Sequence, residues 1–357
     1  MKKLLLSVFA IAALASCMQD ETLGAAQREN IVFENAFVDN TTKAIDPSIT
    51  TTGENAISEF QVWGTTKGDH TNAAIVPIFA DEKVDKTTGD WRYDSGKTQY
   101  WIAGNEYNFA AIVNADYTTT TDALTGTETK TSVVTLGENK LPETITYTAN
   151  GTTDLLYARS EEDIVGKTSG NGKVGFTFRH LLSKAVFTFT NTSLDNTNNL
   201  YTVEDIKITG LNKVGVYTVG SGWAFSGTET IDYEFGNIVV DAVDSAEGAA
   251  AAVVGATPYK SNFERLLIPG THTVTISCTI KLYLNGDATE ANLAHVTPFE
   301  KKDYSLTVEE GKAYNFALSS GLKNAIEFTV DAVDDWANGN THDSKDDDKV
   351  NDHTPLK

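Results

Sequence analysis

Cysteine is nearly absent from this chain of 357 residues, which carries two. Two cysteines cannot staple a chain of this length into a disulfide framework, so a hydrophobic core must hold it. Basic charge is also scarce: 28 Lys and Arg stand against 49 Asp and Glu, a formal charge of −21. That balance disfavours nucleic acid and anionic lipid surfaces as partners, because clustered Lys and Arg grip both. Long apolar runs are missing too, and the stretch Leu4 to Leu14 falls far short of the ~20 residues that span a membrane. No window of eleven or more residues keeps a convincing helical period, which argues against a βαβ fold. What remains is 40% apolar and 22% charged. Such a composition supports ordinary globular folding, and the length suggests about two domains.

The first 17 residues stand apart. Lys2 and Lys3 precede the short apolar stretch, and the segment closes on Leu14-Ala15-Ser16-Cys17. This is the layout of an export signal, and its end resembles a bacterial lipobox, whose cysteine becomes a diacylglycerol thioether. Cys17 is therefore the expected lipidation site. Each buried lipid CH₂ contributes ~0.8 kcal/mol, so several acyl chains together anchor firmly.

Beyond a small, polar tether, the segment Ile31 to Val38 reads as a strand in which Ile31, Phe33 and, after a slip, Phe37 share a face. Strand signals then recur with turn punctuation: Phe60 to Trp63, Ala74 to Phe79, Tyr107 to Val113 and Ser132 to Leu136. Asn150-Gly151, Thr125-Gly126 and Asn171-Gly172 supply turns. Leu155 to Asp163 is the one place where a short helix is expected. Val174 to Phe178 and Ala185 to Thr190 flank a domain boundary near Leu181 to Lys184. The second half repeats the style through Val274 to Ile280, Ala313 to Leu318 and Ala325 to Val330. Many short strands rich in Thr, Val, Ile, Tyr and Phe predict an all-β protein of β-sandwiches. Residues 337–357 form an acidic tail with the composition of a solvated charge run.

Catalytic and metal motifs are missing. The six histidines form no zinc-ligand spacing, and His180 reads as a structural residue. No nucleophile elbow, Walker loop or dinucleotide fingerprint appears. Neither cofactor nor enzymatic activity is therefore expected. Cys278 shares one face of a strand with Val274, Ile276 and Ile280, so it reads as a small core residue. Trp91, Tyr93, Tyr100 and Trp101 cluster; core or hairpin packing is the simpler reading of that cluster, and a flat exposed row of such rings would suit a glycan-binding module.

Taken in order, several stretches resemble the fimbrillins of Bacteroidales, the subunits of type V pili. They are the signal ending at Cys17, the segment Ile31 to Lys43, and Phe176-Thr177-Phe178-Arg179-His180-Leu181-Leu182-Ser183-Lys184-Ala185-Val186-Phe187. Ile206 to Leu211, Leu267-Ile268-Pro269-Gly270 and Gly311 to Phe316 follow. The resemblance covers nearly the whole chain. It implies two transthyretin-like Greek-key β-sandwich domains in tandem, residues 44–182 and 183–336, after a propeptide over 18–43.

It also implies a route to a fibre. The lipoprotein precursor, on the outer membrane at the cell surface, is cut by an Arg- or Lys-specific protease. Its first strand leaves, and a strand from another copy or a related pilin fills the groove. Here Lys43-Ala44 is the expected cut; Arg28-Glu29 is a second candidate that precedes the strand and has an acidic residue after it. A lysine at the cut departs from the family's commoner arginine. Ile31, Phe33 and Val38 would be the plugs of the leaving strand. Ile326, Phe328, Val330 and Val333 would form the donor strand, although they read equally as the closing strand of the second domain. A tip adhesin with a host or bacterial surface ligand is the other role the resemblance leaves open.

Overall fold

The computed structural model describes residues 29–38, 57–70, 73–86, 89–115, 118–121, 128–130, 132–160, 163–191, 199–240, 259–285, 287–320 and 326–333. Cys17, Arg28, Lys43, Ala44 and the acidic tail lie outside them. The first half contributes β1 (Phe33–Val38), β2 (Glu59–Lys67), β3 (Ile75–Asp85), β4 (Glu106–Val113), β5 (Thr118–Thr121), β6 (Glu128–Lys130), β7 (Ser132–Leu136), β8 (Pro142–Thr148), β9 (Leu156–Arg159), β10 (Ile164–Val165) and β11 (Val174–His180). The second contributes β12 (Ser183–Asn191), β13 (Leu200–Asn212), β14 (Val214–Thr218), β15 (Gly222–Phe225), β16 (Thr230–Val240), β17 (Tyr259–Lys260), β18 (Arg265–Leu267), β19 (Gly270–Tyr283), β20 (Leu293–Val308), β21 (Ala313–Ser320) and β22 (Glu327–Val333). Two short 3₁₀ turns are the only helical elements among the described residues. The all-β expectation is borne out.

Alternation explains most of these strands. In β11, Val174, Phe176 and Phe178 are buried, while Gly175, Thr177 and Arg179 are exposed. In β19, His272, Val274, Ile276, Cys278 and Ile280 all point into the core. The helix expected over Leu155 to Asp163 is absent. Leu156 to Arg159 is β9, sandwiched between β4 and β11 with Leu156, Tyr157 and Ala158 all buried. A strand covered on both faces has a continuous apolar run, and such a run cannot be told from a helical one by periodicity.

The first sheet runs β1-β11-β9-β4-β2-β3, with β10 also on β4. A second runs β17-β12-β21-β22, with β18 on β12, and a third runs β16-β13-β19-β20. The fourth, β15-β14-β8-β7, draws strands from both halves of the chain, with β8 and β14 in register from Thr148↔Val214 to Thr144↔Thr218.

Two hydrophobic clusters fill the space between sheets. The smaller gathers Ile31, Phe33, Phe60, Phe79, Phe109, Phe176 and Phe178. The larger joins Ile112, Ile145, Tyr157 and Leu181 to Phe187, Ile208, Tyr217, Ile276 and Phe316. β4 serves both, with Phe109 and Ala111 in the first and Ala110 and Ile112 in the second. This explains why its sequence is apolar at successive positions.

Candidate functional site

The site begins with β1, which lies at the edge of the first sheet and, among the described residues, pairs in parallel with β11 alone. The ladder runs from Phe33↔Val174 to Val38↔Phe178, with an irregularity between Glu34 and Phe37. That irregularity sits where the apolar pattern of the sequence slips. Before the strand proper, the chain is held from the other side as well. Ile31 N donates to Gln99 O at 2.8 Å and Trp101 N donates to Glu29 O at 2.9 Å. Tyr93 Oη donates to Ile31 O at 2.8 Å. Val174 N donates to Val32 O at 2.8 Å, so this short stretch is clasped between β11 and residues 99–101.

Side chains deepen the seat. Ile31 is fully buried and Phe33 is 3% exposed. The Phe33 ring lies 5.5–6.2 Å from the rings of Phe79, Tyr93, Phe176, Phe60 and Phe109. These partners come from β2, β3, β4, β11 and the segment between β3 and β4, so the sheet curls around this ring. Truncating a phenylalanine so enclosed costs about 3–5 kcal/mol. At the strand's start the Glu29 carboxylate accepts from Asn171 N at 2.8 Å and Asn171 Nδ2 at 2.9 Å. Those bonds hold its pKa below the usual carboxylate value.

β22 occupies the edge of the second sheet, antiparallel to β21 from Glu327↔Ser319 to Val333↔Ala313. Ile326, Phe328 and Val330 are half-buried against the larger cluster. Phe328 lies 5.5 Å from Phe299, 6.0 Å from Tyr304 and 6.4 Å from Phe316. Lys301 Nζ sits 5.6 Å above its ring. The segment read as donor or closing strand thus closes its own sheet here.

The rings at 91, 93, 100 and 101 form no flat exposed row. Trp91 packs on Phe60 at 5.0 Å, Tyr93 on Phe79 at 5.0 Å and Trp101 on Tyr107 at 4.7 Å. Of the four rings, only Tyr100 is exposed. Trp91, Tyr93 and Trp101 turn inward, and Tyr93 packs directly on Phe33 in the seat of β1. The core or hairpin reading of these aromatics fits their packing; that they wall the seat of β1 was not legible. Glu29 and Asn171, which clamp the strand's start, carried no signal at all.

The resemblance read from the sequence is borne out: this chain belongs to the fimbrillin-like family, whose model matches residues 42–336. No curated protein matches it by sequence. A fimbrial protein from Bacteroides vulgatus ATCC 8482 shares the fold with 14% identity and a TM-score of 0.53, over 85% of this chain and 99% of that one. A cell-adhesion candidate from Bacteroides uniformis ATCC 8492 aligns with 15% identity and a TM-score of 0.43, over 87% and 99%. The fimbrial anchor protein Mfa2 from Porphyromonas gingivalis aligns with 14% identity and a TM-score of 0.30, over 77% and 88%.

Proposed function

We propose that this protein is a non-enzymatic structural subunit of a cell-surface fimbria that supports adhesion. It reaches the outer membrane as a lipoprotein anchored through Cys17. Cleavage between Lys43 and Ala44 frees the β1 segment, and a strand from another copy or a related pilin replaces it against β11. The observation that carries this reading is the seating of β1. One short segment plugs an aromatic pocket through Ile31 and Phe33, yet among the described residues the ladder of β1 joins it to β11 alone.

Without β1, the backbone of residues 174–178 and the ring pocket would face water. Unpaired edges and exposed apolar surface both recruit another strand. Main-chain bonds would supply affinity and plug residues specificity. A head-to-tail contact whose rotation does not close into a ring extends into a fibre. The family match begins at residue 42, after β1 and beside the proposed cut, which supports treating the remainder as the working subunit.

Limited trypsin treatment of the purified full chain tests the reading. A new amino terminus at Ala44, followed by oligomer ladders on gels, is the expected outcome. The seating of β22 in its own sheet favours a second reading, a tip adhesin that accepts a strand and donates none. Trimmed protein that stays monomeric overturns the stalk role. If it still captures a peptide of residues 29–38, the tip reading stands; if it captures nothing, both fall.

A further inference from the structure

β11 carries the groove wall, and its two ends are held differently. Residues 174–178 have β1 as their only strand partner among the described residues, while Arg179 and His180 pair with Tyr157 and Leu156 of β9. The strand then meets a dense set of contacts. Arg179 Nη1 donates to Glu310 Oε1 at 2.6 Å, and its Nη2 donates to Tyr217 Oη. The guanidinium carbon lies 5.9 Å from the Tyr157 ring and 5.8 Å from the Tyr217 ring. One side chain therefore bridges β9, β14 and the turn between β20 and β21.

The neighbouring backbone reinforces this grip. His180 Nδ1 donates to Asp154 Oδ2 at 2.6 Å. Gly311 N donates to Leu182 O at 3.0 Å, Lys184 N to Lys312 O at 2.9 Å and Ser183 Oγ to Glu309 O at 2.6 Å. Gly311 has φ +72°, a left-handed conformation that glycine adopts without strain. Burial raises the Glu310 carboxyl pKa even with the guanidinium opposing it. The contact is thus partly desolvated, where geometry rather than bare charge attraction decides its worth.

We propose that Arg179 is a positioning residue for strand exchange: it pins the end of β11 to the second half of the chain and keeps the empty groove ordered. This deepens the strand-replacement reading and rests on it for its consequence. A groove edge that is already ordered spares an incoming strand the loss of chain entropy that ordering β11 would add. Arg179 acts through β11 and need touch no incoming residue.

The test uses the full chain and needs neither cleavage at Lys43 nor polymerisation. Phe33→Leu loosens the β1 plug without removing it. Chymotrypsin cuts after Phe176 and Phe178 then report local unfolding of β11, because a protease needs an opened segment. In the Phe33→Leu background, adding Arg179→Met should speed those cuts by about tenfold, the effect of losing a charge-assisted bond. With Phe33 intact, Arg179→Met should change them little, since β1 still covers β11.

A contact that merely stabilises the whole chain would speed cutting equally in both backgrounds, and that result overturns the proposal. Equal rates with and without Arg179 in the loosened background overturn it as well. Glu310→Ala in the loosened background should reproduce the effect, and it serves where the first double variant fails to fold. Failure of the trypsin ladder alone would sink the polymerisation reading and leave this protease result standing.

Discussion

His272 shows how one buried polar residue makes stability depend on pH. It is fully buried in β19, with Nε2–H donating to Ile268 O at 2.7 Å and Nδ1 accepting from Asn212 N at 3.1 Å. The bond from Asn212 requires the neutral ring, because Nδ1 has no lone pair to offer once protonated. Burial holds its pKa below the usual histidine value, although the bond to Ile268 opposes this. The native state therefore resists a proton that the unfolded chain accepts. The stability this confers is complete above the unfolded value of about 6.5 and drains away as pH falls through the native value, with a slope of up to ~1.4 kcal/mol per unit. Thermal midpoints recorded from pH 7 to pH 5 should fall, and His272→Gln should flatten that slope while lowering the midpoint at pH 7. An unchanged slope in the variant would show that His272 does not govern it. The sequence alone gave no hint of this residue, since a lone histidine in an alternating strand carries no sign of its neighbours. Cys278, three turns of the pleat away, was legible: Val274, Ile276 and Ile280 share its strand face, and burial pushes its thiol up to about 12.

At the scale of elements, strands with one wet face were easy to read and strands buried twice were not. β11 and β19 alternate cleanly, so their apolar residues and their place in a sheet followed from period two. β9 was obscured because both its faces are covered, and only its tertiary neighbours make it a strand. β1 was legible down to its slip, because apolar side chains at 31 and 33 have nowhere to go but inward. Its third wall, residues 91–101, was hidden because loop rings give no periodic signal. β22 poses a sharper case, since alternation fits a closing strand and a donor equally. Its geometry makes a definite prediction for the intact chain. Phe328 is half-buried among Phe299, Tyr304 and Phe316, so Phe328→Ala should destabilise by roughly 2 kcal/mol, about half the loss for an enclosed ring. Chemical denaturation of the full chain would measure it. No loss of stability would mean that β22 is not held in the second sheet in solution.

Across the whole molecule, the expected seam near Leu181 to Lys184 is where the chain passes from the first sheet to the second, but packing continues through it. The fourth sheet is built from β7 and β8 on one side of the seam and β14 and β15 on the other. The larger cluster likewise joins Trp63, Ile112, Ile145 and Tyr147 to Tyr217, Phe235, Ile276 and Leu318. Trp223 Nε1 donates to Leu181 O at 2.7 Å, and Leu181 N donates to Leu155 O at 2.9 Å, so the seam itself is bonded to both halves. Separating the halves would expose one face of β14 and strip its ladder with β8, leaving a two-stranded hairpin that is marginal in water. The described body should therefore unfold in one cooperative transition, with calorimetric and van't Hoff enthalpies that agree. Residues 183–336 produced alone should lack the native near-ultraviolet signal of Tyr217 and Trp223, and adding residues 128–182 to that chain should restore it. Two resolved transitions in the full chain, or a stably folded 183–336 fragment, would show instead that the halves stand independently and that the shared sheet contributes little to either.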